Sequence, residues 1–533
     1  MKSKKYFSMS YSIAIAFIVS MAVSCIDGLN RPERPETDDT ETKTEKKSKS
    51  KTGSVESGDA ASSGTSTFPS SSTGSKQVAS IDTTNASKYT PIPANVALQS
   101  KDCQNILGLT PEEAKSKDTI MLGALLPLTG TLWMHGKGMQ NGIEMALSEI
   151  NQSGGILGKK VGVIGCDDGS SPGKGIESAK HLVSLKVPAI IGASGSNVTI
   201  EVFNQVIKGS SALLISPSST SPAITHLQDG NLLWRTVPSD AIQGSFIGKH
   251  LTQKGYRKIA IINRNDTYGN GIRDVVVEYL INKGFNTDDA GKFYNAGYPP
   301  DNYAADLDAI AVKIGSFAPD IIVILSWAED GKYLLKSLGN KNINIASTDL
   351  LLSDGLRSDE LLKDDLPNPI KCKIFGTIPA SPSSAVYNSF KVRYRSQYDN
   401  NDPSTYSAQS YDAVFVLAYA IAGVSDNNYS AVRLAEGLSR LSSGAKVNAG
   451  MTDFNGTIQM LRNNPKSTMD YVGASGELDF TADGEPAKSA IRGWALDLDR
   501  KEVFEFKDEI LTEDGTYRIP WSGARPGTGA ACN

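Results

Sequence analysis

Five cysteines and four histidines are all that the 533 residues contain. A disulfide scaffold is therefore excluded. His135, His181, His226 and His250 have no metal-ligand spacing, and no Cys-x-x-Cys occurs. An excess of one charge is also lacking. Lys and Arg number 54 against 58 Asp and Glu, a net charge of −4, which argues against nucleic-acid binding. Long apolar runs are scarce: the most pronounced, Ile13 to Val23, is too short to span a bilayer comfortably. Two common chemical signatures are missing as well. Gly136-Lys137-Gly138-Met139-Gln140-Asn141-Gly142 places its third glycine one position too late for a dinucleotide loop. Gly192-Ala193-Ser194-Gly195-Ser196 and Gly473-Ala474-Ser475-Gly476-Glu477 each miss the last glycine of a nucleophile elbow. Asp167-Asp168 and Asp364-Asp365 read as solvated loop pairs. With no nucleophile–base pair and no metal set to assemble, the expectation is no catalysis, no cofactor and no metal.

What is present begins with an export signal. Lys2, Lys4 and Lys5 precede the apolar run, which closes on Ala22-Val23-Ser24-Cys25. This resembles a bacterial lipoprotein signal peptide over residues 1–24, cleaved before Cys25 and anchored to a membrane by lipid on that thiol. A simple signal peptide with an incidental cysteine is the alternative. Residues 25–90 are Ser, Thr, Lys, Glu, Asp and Gly with almost no large apolar side chain, so ordering them would not be offset by burial. As a flexible coil of about 65 residues this spacer reaches roughly 45 Å on average. An N-terminal extension, 91–117, leads into the globular part, and 507–533 form a C-terminal tail.

From Asp118 the pattern becomes alternating strand and helix. Apolar runs at 120–126, 161–164, 189–191 and 212–215 alternate with helical periodicity at 139–150, 175–185 and 198–207. Near Trp234 to Ser239 the chain crosses into a second lobe, where helices 243–254, 271–283 and 331–339 alternate with strands 258–262, 321–325 and 344–347. The predicted fold class is α/β, with parallel sheets covered by helices on both faces. Lobe 1 is expected over 118–236, with later segments returning to it, and lobe 2 mainly over 237–506.

Ligands of such sheets bind beyond the strand carboxyl ends. Here those ends carry Gly192-Ala193-Ser194-Gly195-Ser196-Asn197 and Ser216-Pro217-Ser218-Ser219-Thr220-Ser221, two loops able to aim hydroxyls and N–H groups at one carboxylate. The ordered set Leu126-Pro127-Leu128-Thr129-Gly130, Ile150-Asn151 through Gly158, Ile215 to Thr220, Asn265-Asp266-x-Tyr268-Gly269, Ser410-Tyr411-Asp412-Ala413 and Gly473 through Gly484 resembles the type I periplasmic binding proteins, in their leucine/isoleucine/valine-binding branch. The resemblance implies two Rossmann-like lobes joined by a three-stranded hinge that close on a small polar ligand, an amino acid or a derivative, for delivery to an ABC permease. It implies that Ser196, Ser218 and Thr220 hold an α-carboxylate and Asp349 the α-ammonium, with Tyr268 and Trp327 as aromatic walls. His135 stands where branched-chain binders often have Tyr. It further implies that Cys103 and Cys532 can pair while Cys166 and Cys372 are free, and that stretches 351–371 and 437–470 are insertions able to cover the cleft or meet a partner. The rival reading is a ligand-independent or sensory interaction module of the same fold.

Overall fold

The computed structural model describes residues 89–90, 92, 98–341, 347–363, 365–380 and 384–506. The expected signal peptide, Cys25, the spacer as far as residue 88, the tail, Cys532 and most of the strand expected at 344–347 lie outside these residues.

Parallel strands covered on both faces need unbroken apolar runs, and the chain supplies two sets. The first lobe runs through β1 (Cys103–Leu107), β2 (Thr119–Leu126), α1 (Trp133–Gln152), β3 (Lys160–Asp167), α2 (Pro172–Ser184), β4 (Ala189–Ile191), α3 (Ser196–Gln205), β5 (Leu213–Ser216), α4 (Pro222–Thr225) and β6 (Leu233–Arg235). Its sheet has the order β1-β3-β2-β4-β5-β6, parallel except where β1 runs against β3.

The chain then crosses to α5 (Asp240–Lys254), β7 (Ile259–Arg264), α6 (Thr267–Asn282), β8 (Phe293–Tyr298), α7 (Ala304–Phe317), β9 (Ile321–Leu325), α8 (Ala328–Asn340), β10 (Asp349–Leu352), α9 (Asn368–Lys371) and β11 (Ile374–Ala380). A long segment follows, with α10 (Ala385–Gln397), α11 (Ser407–Ala422), α12 (Ala431–Leu438), β12 (Ala445–Asn448), α13 (Met451–Asn463) and β13 (Met469–Val472), before β14 (Ala490–Asp497) and β15 (Glu502–Glu505). The second sheet, β15-β14-β11-β10-β9-β7-β8, ends in the antiparallel pair β14 and β15.

Residues 384–478 belong to the first lobe, not to the second as the sequence reading had mainly assigned them. The cause is α11: all 16 of its residues are buried, and its second half, Ala413 to Ala422, is apolar throughout and must be enclosed on every side. Its Tyr411, Val414, Phe415 and Leu417 join Met139, Ile143 and Ile190 in the first-lobe core. The lobes are thus linked by three crossings, at 236–239, between β11 and α10, and at 485–489.

The cysteine expectations are corrected. Because β1 lies antiparallel to β3, Cys103 faces Cys166 across the ladder, and the two form a disulfide. Cys166 is therefore not free, and Cys103 is not available to Cys532. Cys372 is disulfide-bonded too. The pair Asp167-Asp168 is buried rather than solvated. Asp167 Oδ1 accepts from the N–H groups of Leu128, Thr129 and Gly169 at 2.9–3.0 Å, and so shapes the turn after β2. Among the described residues no helix is long and apolar enough to cross a membrane.

Candidate functional site

The carboxyl ends of both sheets face one small cavity of about 20 Å³ lined by Leu132, His135, Ser194, Gly195, Ser196, Ser218, Tyr268, Trp327, Asp354, Gly355 and Tyr406. That is room for about one water molecule. The lobes are closed on each other. Trp133 Nε1 donates to Glu329 Oε1 (3.1 Å), Ser221 Oγ to the Thr267 carbonyl (2.9 Å) and Arg357 Nη1 to Thr405 Oγ1 (3.2 Å). Tyr406 of the first lobe donates its hydroxyl proton to Asp354 Oδ2 of the second.

The first-lobe wall is made by the β4–α3 and β5–α4 loops. Their abundance of hydroxyls has a structural use: Ser216 Oγ donates to the Ala193 carbonyl at 2.7 Å, Ser218 Oγ to the Ser194 carbonyl at 3.1 Å, and Thr199 Oγ1 lies 2.7 Å from Ser219 Oγ. These bonds hold the two loops as one surface. Gly192 lets the β4–α3 loop pack on β2, since a Cβ there would sit 2.4 Å from the Leu125 carbonyl oxygen at a φ of +133°. Ser196 Oγ accepts from the Ser221 N–H at 3.2 Å, which leaves its own proton for a ligand. Gly195 precedes α3 and supplies no side-chain cap, so the first N–H groups of that helix, with their positive dipole end, are unfilled where they meet the cavity.

On the second-lobe side stands Asp354, two residues beyond β10 and 1% exposed. Its Oδ1 accepts from Tyr268 OH at 2.7 Å and from Gln243 Nε2 at 2.8 Å. Among the described residues no Lys or Arg bonds to it. Burial beside this carboxylate holds the Tyr268 and Tyr406 hydroxyls well above their ordinary pKa, so both remain donors. Gln243 Nε2 also reaches Asp240 Oδ1 at 3.1 Å, joining two buried acids through one amide. His135 is buried, its pKa lowered by desolvation. Its Nε2 lies 3.4 Å from the Gly355 carbonyl and its ring meets Tyr406 edge-on at 5.5 Å. Trp327 packs with Tyr268 and Leu132 in a small apolar cluster. From behind, the Arg264 guanidinium sits 3.9 Å from the Trp327 ring centroid, itself fixed by Asp266 at 2.7 Å and Asp330 at 2.6 Å.

Of the residues singled out from sequence, His135, Ser196, Ser218, Tyr268 and Trp327 line this cavity. Thr220 is buried behind it, its hydroxyl beside the Asp240 carboxylate, with no aligned partner for Thr220 Oγ1 or Asp240 Oδ2. Asp349 is elsewhere. It opens β10, at the opposite end of the strand, and its Oδ2 accepts from Tyr256 OH at 2.7 Å. The acid in the cleft is Asp354, and Tyr406 and Leu132 are the other contributions that the sequence reading missed. Of the two stretches read as insertions, 351–371 reaches the cleft through Asp354 and Gly355.

The profile of the family described as periplasmic binding protein matches residues 119–477. The Leu/Ile/Val-binding protein BraC3 of Rhizobium johnstonii is 29% identical over 242 residues, 45% of this chain and 63% of that protein. The match thus spans less than two thirds of that relative. The Leu/Ile/Val-binding protein homolog 1 of Brucella abortus is 26% identical over 311 residues, 58% of this chain and 80% of that protein. Among solved structures, the branched-chain amino acid transporter substrate binding protein LivJ from Streptococcus pneumoniae, in complex with isoleucine, superposes with a TM-score of 0.58 at 21% identity, covering 74% of this chain and 99% of that one. A solute binding protein from R. palustris in complex with benzoate gives 0.57 at 16% identity, over 74% and 98%. All four are described as binding proteins, the two solved structures as those of transporters.

Proposed function

The chain belongs to the periplasmic binding protein family, and from that premise we propose that it is an extracytoplasmic lipoprotein, anchored through Cys25, that captures an α-amino acid or a close derivative and delivers it to an ABC permease. One observation carries the choice of ligand. A buried carboxylate without a cation, Asp354, and an uncapped helix N-terminus with the Ser196 hydroxyl approach one cavity from opposite lobes. A zwitterion supplies the missing charge to each. Its ammonium group pairs with Asp354, and its carboxylate takes the N–H groups of α3 and the hydroxyls of Ser196 and Ser218. Thr220 acts from behind, by fixing the loop. Tyr268, Trp327, Leu132 and His135 form the wall for the side chain, and the small space of the closed form requires that wall to yield. His135, in place of a tyrosine, is the departure that separates the wall from those of branched-chain binders.

No bond of the ligand is made or broken in this reading. Contacts from both lobes exist together only in the closed state, so ligand shifts the population toward it. A thermal-shift screen of the twenty amino acids and small carboxylates, followed by calorimetry, tests the proposal. An amino acid is expected to bind with a 1:1 stoichiometry. Binding only of carboxylates that lack an amino group, as with benzoate in the R. palustris protein, overturns the role of Asp354. Binding of none favours the interaction-module reading.

A further inference from the structure

The lobe junction holds a roomier cavity than the cleft. A cavity of about 300 Å³ lies among the crossings, lined by Thr236 and Pro238 of the first, Ser384 at the exit of the second, Pro486 and Lys488 of the third and Ala490 at the start of β14, and by Gln409, Val472, Glu477 and Leu478 of the first lobe. This is the size of a small-molecule site, and carbon dominates its walls. Gln409, 5% exposed, lines it. Its backbone carbonyl accepts from Thr236 Oγ1 at 2.9 Å, and its amide makes no hydrogen bond among the described residues, which leaves that group open to a ligand.

We infer that this cavity is a second binding site, for a neutral, largely apolar small molecule whose single carboxamide or comparable head pairs with the Gln409 amide, and that its occupancy biases lobe closure. The apolar body fits against Pro238, Val472, Leu478, Pro486 and Ala490. The coupling follows from where the walls come from. Every crossing contributes, so rotation of the lobes reshapes the cavity, and a ligand fitting one shape better than the other shifts the lobe equilibrium. The same turn of chain also serves both cavities, with Tyr406 meeting Asp354 in the cleft and Gln409, three residues on, in the hinge cavity.

The test uses 2-naphthamide as the probe, titrated by calorimetry into the whole chain and into two variants. Gln409→Leu preserves shape and removes the hydrogen bonds; Ala490→Phe fills the cavity. Wild type is expected to bind one equivalent, Gln409→Leu to bind about fivefold more weakly or worse, the worth of one hydrogen bond, and folded Ala490→Phe not to bind. The probe should not compete with the amino acid found for the cleft but should change its affinity by about twofold or more, and reciprocally. Absence of binding, or binding indifferent to both substitutions, removes the site. Binding without reciprocity removes the coupling. The direct titration stands even if no amino acid binds the cleft, so failure of the proposed function is told apart from failure of this inference.

Discussion

At the scale of single residues, the cleft is organised by carboxylates that lack a cation. Breaking a desolvated charge pair costs about 2 to 5 kcal/mol, so Asp354→Ala should weaken amino-acid binding by about 30-fold or more, at 1.4 kcal/mol per tenfold. Asp349→Ala should leave affinity within about twofold, since it lies at the far end of β10, and cost about 1 kcal/mol of stability through the lost Tyr256 bond. Calorimetry on the two variants decides between the acids, and equal effects would undo the assignment. Asp240 makes a different prediction. Its burial, together with the neighbouring charge of Asp354, pushes its carboxyl well above the ordinary range. A group with a raised folded-state pKa contributes stability that is complete below about pH 4, its unfolded value, and lost as pH rises through the folded value. Asp240→Asn keeps a neutral amide at every pH, so its stability relative to wild type should grow as pH rises above about 4 and level off once the folded-state carboxyl has ionised. Urea midpoints across that range measure it, and a pH-independent difference would mean that Asp240 titrates alike in both states.

At the scale of elements, the error over Asp349 has a simple origin. The family resemblance pointed to Asp349, just after a strand read to end at Ser347; β10 instead runs to Leu352, and the acid that lies two residues beyond it is Asp354. The strand was displaced because the isoleucines at 343 and 345 imitate the apolar run of Leu350 to Leu352. Strands buried on both faces were legible almost to the residue: Ala189–Ile191 and Ile321–Leu325 stand as read. The edge strand β8, Phe-Tyr-Asn-Ala-Gly-Tyr, was not, since only Tyr298 of it is buried. Nor was α11, whose apolar residues leave no period to detect. Of the five residues found in the cleft, Ser196 and Ser218 were legible because they lie in the segments that follow β4 and β5, whereas His135, Tyr268 and Trp327 came from the family resemblance. Tyr406 was not legible, because it enters from the returning segment. The Cys103–Cys166 link was hidden for the same reason as β1, a short edge strand of mixed polarity. This bond closes 63 residues of sequence, a loop whose cross-link stabilises by about 4 kcal/mol in the chain-entropy account. Replacing both cysteines by alanine should lower the urea midpoint accordingly. A midpoint equal to that of the oxidised wild type would show β1 to be dispensable.

At the scale of the whole molecule, the Tyr406–Asp354 contact joins the two lobes inside the cleft, beside the longer approach of His135 to the Gly355 carbonyl. A hydrogen bond to a charged acceptor is worth about 1.5 to 3 kcal/mol, enough to move an open–closed ratio by about tenfold or more. Ligand-free Tyr406→Phe should therefore scatter X-rays with a larger radius of gyration than ligand-free wild type, and saturating ligand should bring the two together. Equal radii without ligand would show that this contact does not govern closure. The route of the backbone between the lobes bears also on when each can form. The first lobe needs α11, and its core includes Tyr471 and Leu478; the second needs β14, which begins at Ala490. Neither hydrophobic core can be completed while the chain is being made until nearly five hundred residues are out. A ribosome-bound or translocating fragment thus has no finished lobe to lock it into a compact shape, and the chain remains threadable through a membrane pore almost to the end of its synthesis.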